Sequence, residues 1–211
     1  MSPVGTPAPA PAAAHGHPAS KAYELLTALS MTVGRGPAAR TTADLAELTP
    51  HDRVVDIGCG PGTAVRVAAR RCAGATGVDP TPLMLRLGRW LTTIRRVPNA
   101  TLVAGSAEAL PLLDSTATVA WALSSLHHWT DRAAGLAEAR RVLAPAGRVL
   151  LVERLVEPGA HGHATHGLTN GQADQLAADL TSSGFGDVHT EIRRTGRRTL
   201  VIVQGTRTNG G

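Results

Sequence analysis

The chain has 211 residues, which fits a single folded domain, and 43% of them are hydrophobic, enough to build a core. Its formal net charge of +5 comes from arginines scattered along the chain, since Lys21 is the only lysine. Aromatic residues make up only 2%, so the basic surface lacks the stacking side chains typical of RNA-binding proteins, and no nucleic-acid partner is expected. No apolar run approaches the ~18 residues of a membrane span, and the N-terminus lacks the regions of a signal peptide.

Cysteine usage points to a reducing compartment. Cys59 and Cys72 are the two cysteines, and neither lies in a C-x-x-C pair or a disulfide framework. We therefore expect reduced thiols and a cytoplasmic protein.

The chain ends differ in composition from its middle. Residues 1–19 are mostly Pro, Ala, Gly and His, with too little apolar bulk to offset the entropy of ordering, so we expect a disordered tail. Residues 205–211 are expected to form a flexible tail as well. One folded domain is expected between them, over residues 20–204.

Two helices are expected at the start of this domain. The first runs from Lys21 to about Val33 with Ser20 as its cap, and the glycines and proline of residues 34–37 end it. A short second helix is expected from Thr42 to Leu48.

Residues 53–63 predict a strand, a glycine-rich turn and the start of a helix. The β-branched residues of Arg53–Ile57 indicate a buried strand, and the helix after the turn extends to about residue 72. Glycines let a ligand approach the backbone closely, and the helix N-terminus attracts an anionic group. Asp56 lies where a carboxylate can accept hydrogen bonds from a ligand cation or from the amides of the turn. The glycines alternate, at Gly58, Gly60 and Gly62.

The second strand, Gly74–Val78, ends in Asp79 and Pro80. An acidic residue at the tip of this strand can accept hydrogen bonds from both hydroxyls of a ribose, which favours an adenosine ligand. The alternative is that Asp79 caps the helix that begins at Pro82. That helix is expected to end at Ile94, and its inward-facing stripe is expected at Leu83, Leu87, Trp90, Leu91 and Ile94.

The rest of the domain alternates strands and helices. This order predicts an α/β fold, a Rossmann-like, mostly parallel seven-stranded sheet with helices on both faces and a C-terminal antiparallel hairpin. The expected strands are Ala100–Gly105, Ala117–Leu123, Arg148–Glu153, Val188–Ile192 and Thr199–Gln204, and the expected helices are Arg132–Leu143 and Asn170–Ser182.

Three motifs occur in an order that resembles the class I S-adenosylmethionine (SAM) dependent methyltransferases. The chain is similar to their small-molecule group, methyltransferase type 11, which includes the ubiquinone/menaquinone-type C-methyltransferases. Agreement of several motifs in order is much more specific than any one of them. The motifs are the turn Asp-x-Gly-x-Gly-x-Gly-Thr at 56–63, Gly-Ser-Ala-Glu-Ala-Leu-Pro at 105–111 and Leu-His-His-Trp at 126–129.

The resemblance implies SAM as the cofactor and a small-molecule methyl acceptor. In that family the turn lines the amino-acid end of SAM, the acid at Asp56 holds its amino group, Asp79 binds the ribose, and the loop at Ser106 meets the adenine. Ser106 stands where the family usually has Asp, so its hydrogen bond would lack charge and adenine affinity is expected to be weaker. The residues implied in cofactor binding are Asp56, Gly58, Cys59, Gly60, Gly62, Thr63, Asp79, Pro80, Met84, Ser106, Ala107, Glu108 and Leu123.

Histidines are the candidates for acid–base chemistry. His127 and His128 follow the fourth strand, where either could accept a proton or bind substrate. The alternative is that one of them caps or packs under the loop. His161, His163 and His166 have a spacing compatible with a metal site, but no carboxylate or Cys completes a ligand set, so no metal is expected.

The sequence therefore predicts a methyltransferase that moves a methyl group from SAM to a small molecule by SN2 displacement, as a monomer or homodimer. A non-catalytic SAM-binding regulator or partner of the same fold is the alternative. A nicotinamide oxidoreductase is disfavoured because Thr63 replaces a third Gly or Ala of the dinucleotide fingerprint and no Tyr-x-x-x-Lys pair is present.

Overall fold

A twisted sheet of seven strands organises the computed structural model, which describes residues 35–159, 166–196 and 198–208. The strands are β1 Arg53–Ile57, β2 Gly74–Asp79, β3 Ala100–Ala104, β4 Ala117–Leu123, β5 Leu143–Arg154, β6 Phe185–Thr195 and β7 Arg198–Arg207. The helices are α1 Gly36–Leu45, α2 Thr63–Ala69, α3 Pro82–Ile94, α4 Arg132–Val142 and α5 Asn170–Ser182, with a 3₁₀ turn at Leu126–His128. The helix expected at Lys21–Val33, the tail at 1–19, and His161 and His163 lie outside the described residues.

The strand order is β3-β2-β1-β4-β5-β7-β6. Every neighbouring pair is parallel except the two pairs that β7 makes, with β5 and with β6. This confirms the predicted mostly parallel sheet with an antiparallel hairpin. The strand order reverses between β1 and β4, and in open sheets of this kind ligands bind outside the carboxyl ends of the strands at such a point.

The sheet separates two apolar cores. On one face, small residues of α1 and α2 such as Ala39, Ala43 and Ala68 pack with alternate sheet residues. On the other face, α4 and α5 contribute Leu136 and Leu176. Helices therefore cover both faces, as predicted. No helix among the described residues is long and apolar enough to span a bilayer.

The start of the domain differs from the sequence prediction. Helix α1 begins at Gly36, inside the stretch expected to break helical structure, and ends at Leu45 rather than Leu48. Pro37 lies in its first turn, where the missing amide donor costs no intrahelical hydrogen bond and the fixed φ suits a helix. Pro37 thus marks a helix start, ahead of the Thr42 expected from the sequence.

Helix α3 has the predicted bounds but buries a different face. Its buried residues are Leu85, Gly88, Leu91 and Thr92, whereas Trp90 is 58% exposed and Ile94 is 53% exposed. A Cβ at Gly88 would lie 2.5 Å from a methyl carbon of Leu102, so the helix is in its closest contact with the sheet at this glycine. Of the predicted stripe, Leu91 is buried as expected, whereas Trp90 and Ile94 are exposed, because Gly88 makes the central contact with the sheet.

Several other bounds shift by a few residues. Helix α2 ends at Ala69, and β2 takes in Asp79. Strand β5 begins at Leu143 rather than at Arg148, and it pairs with β4 across an irregularity in register. Strand β7 extends to Arg207, beyond the expected start of the C-terminal tail. Cys59 and Cys72 are both free thiols, as predicted.

Candidate active site

A cavity of about 390 Å³ lies at the carboxyl ends of the central strands, the edge that the strand order favours. Its volume is in the ~300–1,000 Å³ range of small-molecule sites. The residues that line it come from the loops after β1, β2, β3 and β4, together with Arg35. They are Arg35, Gly58, Gly60, Asp79, Pro80, Thr81, Met84, Gly105, Ser106, Ala107, Glu108, Ser124, Ser125, His128, Trp129 and Thr130.

The glycine turn is fixed by contacts with the neighbouring strands. The Gly58 amide donates to the Val78 carbonyl over 2.8 Å, and the Ser125 hydroxyl donates to the Ile57 carbonyl over 2.6 Å. Gly58 has φ +74°, and a Cβ there would lie 2.5 Å from the Cβ of Ser125. Only glycine therefore fits this position, on grounds of both backbone conformation and space.

Asp79 joins the turn to the next strand. Its Oδ2 accepts from the Gly60 amide over 2.8 Å, and its Oδ1 accepts from the Thr81 amide over 2.9 Å. The N-cap residue of α3 is Thr81, so Asp79 is not itself the helix cap. Gly60 also has positive φ, but a Cβ there would meet no atom within 4 Å. Hydrogen bonds to Val78 and Asp79 thus hold the turn in place. Gly60 leaves space for a ligand to approach the turn from the cavity.

Asp56 is a buried carboxyl without a complete set of partners. It is 1% exposed, and its Oδ1 accepts no hydrogen bond from the described residues. Burial raises its pKa to about 7, while the nearby Arg35 guanidinium and Trp121 indole act in the opposite direction. The indole Nε1 lies close enough to favour the carboxylate but makes no hydrogen bond of normal geometry. The carboxyl therefore lacks a donor, which a ligand cation can supply.

Arg35 is a residue that the sequence analysis missed. It precedes α1 and lines both the cavity and a gap of about 10 Å³ beside the glycine turn. Burial lowers its pKa, and the carboxyl groups of Asp56, Glu153 and Asp79 partly offset this effect. Its sequence context, between two glycines, gave no signal because the contact with Asp56 exists only in the folded chain.

The other implied cofactor residues divide between the cavity and its surroundings. Pro80, Met84, Ser106, Ala107 and Glu108 line the cavity. Asp56, Cys59, Thr63 and Leu123 line the small gap beside it, and Gly62 faces Leu102 instead. Burial raises the pKa of the Cys59 thiol, so this cysteine is a packed, unreactive group.

Glu108 holds a loop in addition to lining the cavity. Its Oε1 accepts from the amides of Thr130 and Asp131, over 2.8 Å and 3.3 Å. Burial opposes ionisation, but hydrogen bonds outweigh it and the pKa of Glu108 lies below its ordinary value. The carboxylate thus fixes the loop that forms the wall of the cavity opposite Asp79.

The two adjacent histidines have different surroundings. His128 lines the cavity, whereas His127 is turned toward Glu153, with 3.2 Å between Nδ1 and Oε1. Glu153 is 1% exposed, and the same Oε1 accepts from the Leu126 amide over 2.9 Å. Since a carboxylate oxygen accepts, Nδ1 of His127 carries the proton, and Nε2 is left as an acceptor in the neutral ring.

His128 is suited to accept a proton. Burial lowers its pKa, and the neighbouring His127 and His166 act in the same direction. Its ring centroid lies 4.0 Å from that of His127 and 6.3 Å from that of His166. His128 is therefore neutral at pH 7, with a free electron pair for a substrate proton.

The histidines do not form a metal site in the part of the chain that the structure describes. No group of three or more His, Cys, Asp or Glu side chains in residues 35–159, 166–196 and 198–208 could hold a metal ion. His166 lies beside His127 and His128, and the other two residues of the H-x-H-x-x-H stretch lie outside those ranges.

The sequence is similar to known methyltransferases. Residues 55–151 match the family described as Methyltransferase domain. The chain is 34% identical over 128 residues to 27-O-demethylrifamycin SV methyltransferase of Amycolatopsis mediterranei, over 58% of this chain and 47% of that protein. It is 37% identical over 142 residues to the ubiquinone/menaquinone biosynthesis C-methyltransferase of Paraburkholderia phymatum, over 65% of this chain and 57% of that protein. The matches thus span about half the length of these relatives.

Solved structures share the fold. A SAM-dependent methyltransferase from Aquifex aeolicus superposes with a TM-score of 0.71 at 13% identity, over 85% of this chain and 96% of that one. At this identity the likeness concerns the fold, and the family profile and relatives add the sequence agreement. Residues 55–151 thus match a methyltransferase domain, and the chain is similar to methyltransferases in sequence and to a SAM-dependent methyltransferase in fold.

Proposed function

We propose that this protein transfers the methyl group of SAM to a small organic acceptor by SN2 displacement. The observation that carries the proposal is the cavity itself, which has the anchored glycine turn and Asp79 on one side and His128 in its wall. One cavity thus combines a cofactor cradle with a proton acceptor.

The residues present fit the cofactor. The unsatisfied Oδ1 of Asp56 suits the ammonium of the methionine part, and the Arg35 guanidinium suits its carboxylate. Asp79 has lone pairs left for ribose hydroxyls after accepting from two amides. The open space at Gly60 allows the ligand to approach the backbone. Ser106 and Ala107 remain the residues proposed to meet the adenine.

The chemistry requires little from side chains beyond positioning and proton transfer. Bound SAM supplies an electrophilic methyl group on a cationic sulfur. In our proposal the cavity walls align the acceptor with the bond to be broken and exclude water, which supplies much of the rate. The acceptor atom forms its new bond to carbon, the pair of the broken bond stays on sulfur, and the acceptor's proton passes to Nε2 or Nδ1 of His128.

Glu153 and His127 support this histidine. Glu153 fixes the His127 ring through Nδ1, and the His127 ring lies against the His128 ring. We propose that His128 takes the proton and that His127 and Glu153 position it. The names of the two relatives indicate a hydroxyl acceptor in one and a carbon acceptor in the other, and both kinds of acceptor lose a proton on methylation.

Turnover of radiolabelled SAM against a panel of phenolic, enolic and amine acceptors tests the proposal. The change His128→Gln should lower kcat by about 10²-fold, the low end of general-base effects, with SAM affinity unchanged. The matched control is His51→Gln, an exposed histidine outside the cavity. Glu153→Gln should lower kcat less and alter the pH–rate profile.

Two results would contradict the proposal in different ways. Undiminished kcat in the His128→Gln variant would remove the proton-accepting role but leave the methyl transfer. Tight SAM binding without turnover of any acceptor would favour the non-catalytic SAM-binding protein.

A further inference from the structure

A second, smaller cavity adjoins the active site and is lined by three arginines. It has a volume of about 180 Å³ and shares Arg35 and Ser124 with the larger cavity. It lies between α1, the ends of β4 and β5, and the tip of the β6–β7 hairpin. Its lining consists of Arg35, Pro37, Ala38, Leu123, Ser124, Arg154, Thr195, Gly196, Arg198 and Leu200.

Strand register brings two of these arginines to one face of the sheet. Arg154 pairs with Leu200 across β5 and β7, and Arg198 lies two residues from Leu200 along β7. Side chains two residues apart on a strand share a face, so Arg154, Arg198 and Leu200 all face α1. Thr195, opposite Arg198, makes a hydroxyl contact of 3.1 Å with Thr41 of α1. The hairpin is thus tied to the helix that closes the cavity.

The positive charge of this cavity is only partly offset by the described residues, because Asp56, Glu153 and Asp79 act electrostatically on Arg35 without forming an ion pair with it. Arg35, Arg154 and Arg198 form no ion pair with any described carboxylate, whereas Arg132, Arg141 and Arg148 each form at least one. None of the described residues that line the cavity is acidic. Three arginines that line one cavity without an ion-paired carboxylate among the described residues favour an anionic ligand.

Helix α1 adds to the positive potential. Its first turn faces the cavity through Pro37 and Ala38, has no acidic residue, and has no side-chain cap. The amino end of a helix carries partial positive charge and free amides. The apolar side chains of Leu123 and Leu200 complete the wall. The site therefore combines an anion-binding side with an apolar one.

We propose that this cavity binds an anionic group of the methyl acceptor, a carboxylate or a phosphate, so that the acceptor is an anionic molecule with an apolar body. The inference rests on the proposed methyl transfer, because it places the acceptor beside the cofactor cavity through the shared Arg35 and Ser124. Arg35 also faces the glycine turn and Asp56, but Arg154 and Arg198 do not line that part of the site. These two residues therefore report on the acceptor rather than on the cofactor.

Calorimetric titration of anionic and neutral probes into the protein saturated with S-adenosylhomocysteine tests the inference. The anionic probes are 4-hydroxybenzoate and phenyl phosphate, and the neutral counterparts are 4-hydroxybenzamide and phenol. The variant Arg154→Gln/Arg198→Gln should bind the anions about tenfold or more weakly, since each lost bond involves a charged group. The control is Arg194→Gln, which removes one positive charge from an exposed position of the hairpin outside the cavity.

The outcomes separate this inference from the proposed function. At least one anion should bind the wild type and the Arg194→Gln control equally, with its neutral counterpart much weaker. Binding that survives in the double variant, neutral probes that bind as well as the anions, or no anion bound at all would overturn the inference. SAM affinity is measured in the same variants and in the wild type. If the wild type does not bind SAM, the methyltransferase proposal is overturned instead.

Discussion

The proposed cofactor side and the proposed acceptor side of the site are built in different ways. On the cofactor side, backbone amides of the glycine turn are held by Asp79 and by the Val78 carbonyl. On the acceptor side, the chemistry belongs to side chains from separate elements, such as His128 and Arg154. The cofactor side depends on a backbone conformation that few residue types allow, so few substitutions preserve it. On the acceptor side, single substitutions can alter one side chain and leave the others in place. A family can thus keep its cofactor while its acceptors differ.

The largest expected effect is a loss of stability on the cofactor side, in a variant of Gly58. The change Gly58→Ala forces a positive φ on a residue with a Cβ and places that Cβ against Ser125. Left-handed strain and overpacking together should cost about 2–5 kcal/mol of unfolding free energy. Chemical denaturation measures the loss, and SAM binding should disappear with it.

Gly60→Ala is the matched control, because Gly60 has positive φ but open space at its Cβ position. It should lose only about 1–2 kcal/mol through strain. Equal losses in the two variants would show that the contact with Ser125 does not fix the turn.

A second large effect is expected at Asp56. Its folded pKa of about 7 lies above the ordinary 3.8, so its contribution to stability is fully present below pH ~4 and is lost as the pH rises through 7. At pH ~8 the change Asp56→Asn should therefore stabilise the ligand-free protein by about 1–4 kcal/mol. Thermal denaturation across this pH range measures it, and a variant that is less stable at pH ~8 would contradict the account.

SAM binding should respond to Asp56 in the opposite sense. A ligand ammonium favours the carboxylate, so wild-type affinity should rise about eightfold between pH ~6 and ~7.5 as the carboxyl ionises. The Asp56→Asn variant should bind more weakly and with no such slope. Calorimetry in buffers of different ionisation enthalpy measures the proton that Asp56 releases when SAM binds. A wild-type SAM affinity that does not change with pH would show that Asp56 does not bind the ligand ammonium.

The smallest expected effect concerns Ser106. The change Ser106→Asp restores the charged acceptor usual in the resembled family, so SAM affinity should rise about three- to tenfold, the value of one charge-assisted bond. Ser115→Asp, on the same loop but outside the cavity, controls for the added charge. Equal affinities of Ser106→Asp and wild type would show that Ser106 does not contact the adenine.

Most residues of the proposed cofactor side could be located from the sequence. The glycine turn, Asp79 and the bounds of β1, β4, α3 and α5 are local features, set by neighbouring residues in the chain. The mostly parallel sheet followed from the alternation of strands and helices. These predictions succeeded because local periodicity and turn chemistry decide them.

Apart from His127 and His128, the residues of the proposed acceptor side could not be predicted, because they come together only through contacts between distant parts of the chain. Arg35 meets Asp56, and His127 meets Glu153, only through the packing of the sheet. Arg154 and Arg198 were two of many scattered arginines until the register of β5 and β7 aligned them. The wrong face of α3 has a similar cause, since Gly88 buries backbone rather than a large side chain.

Titration calorimetry of SAM into the wild type and Asp79→Ala, with NAD as a control ligand, tests the central claim most directly. The account predicts a dissociation constant of about 1–100 μM for the wild type, or about 5–8 kcal/mol. It predicts loss of this binding in the variant, because both the ribose acceptor and the anchor of Gly60 disappear. An absence of heat with SAM, or equal binding to both proteins, would contradict the account.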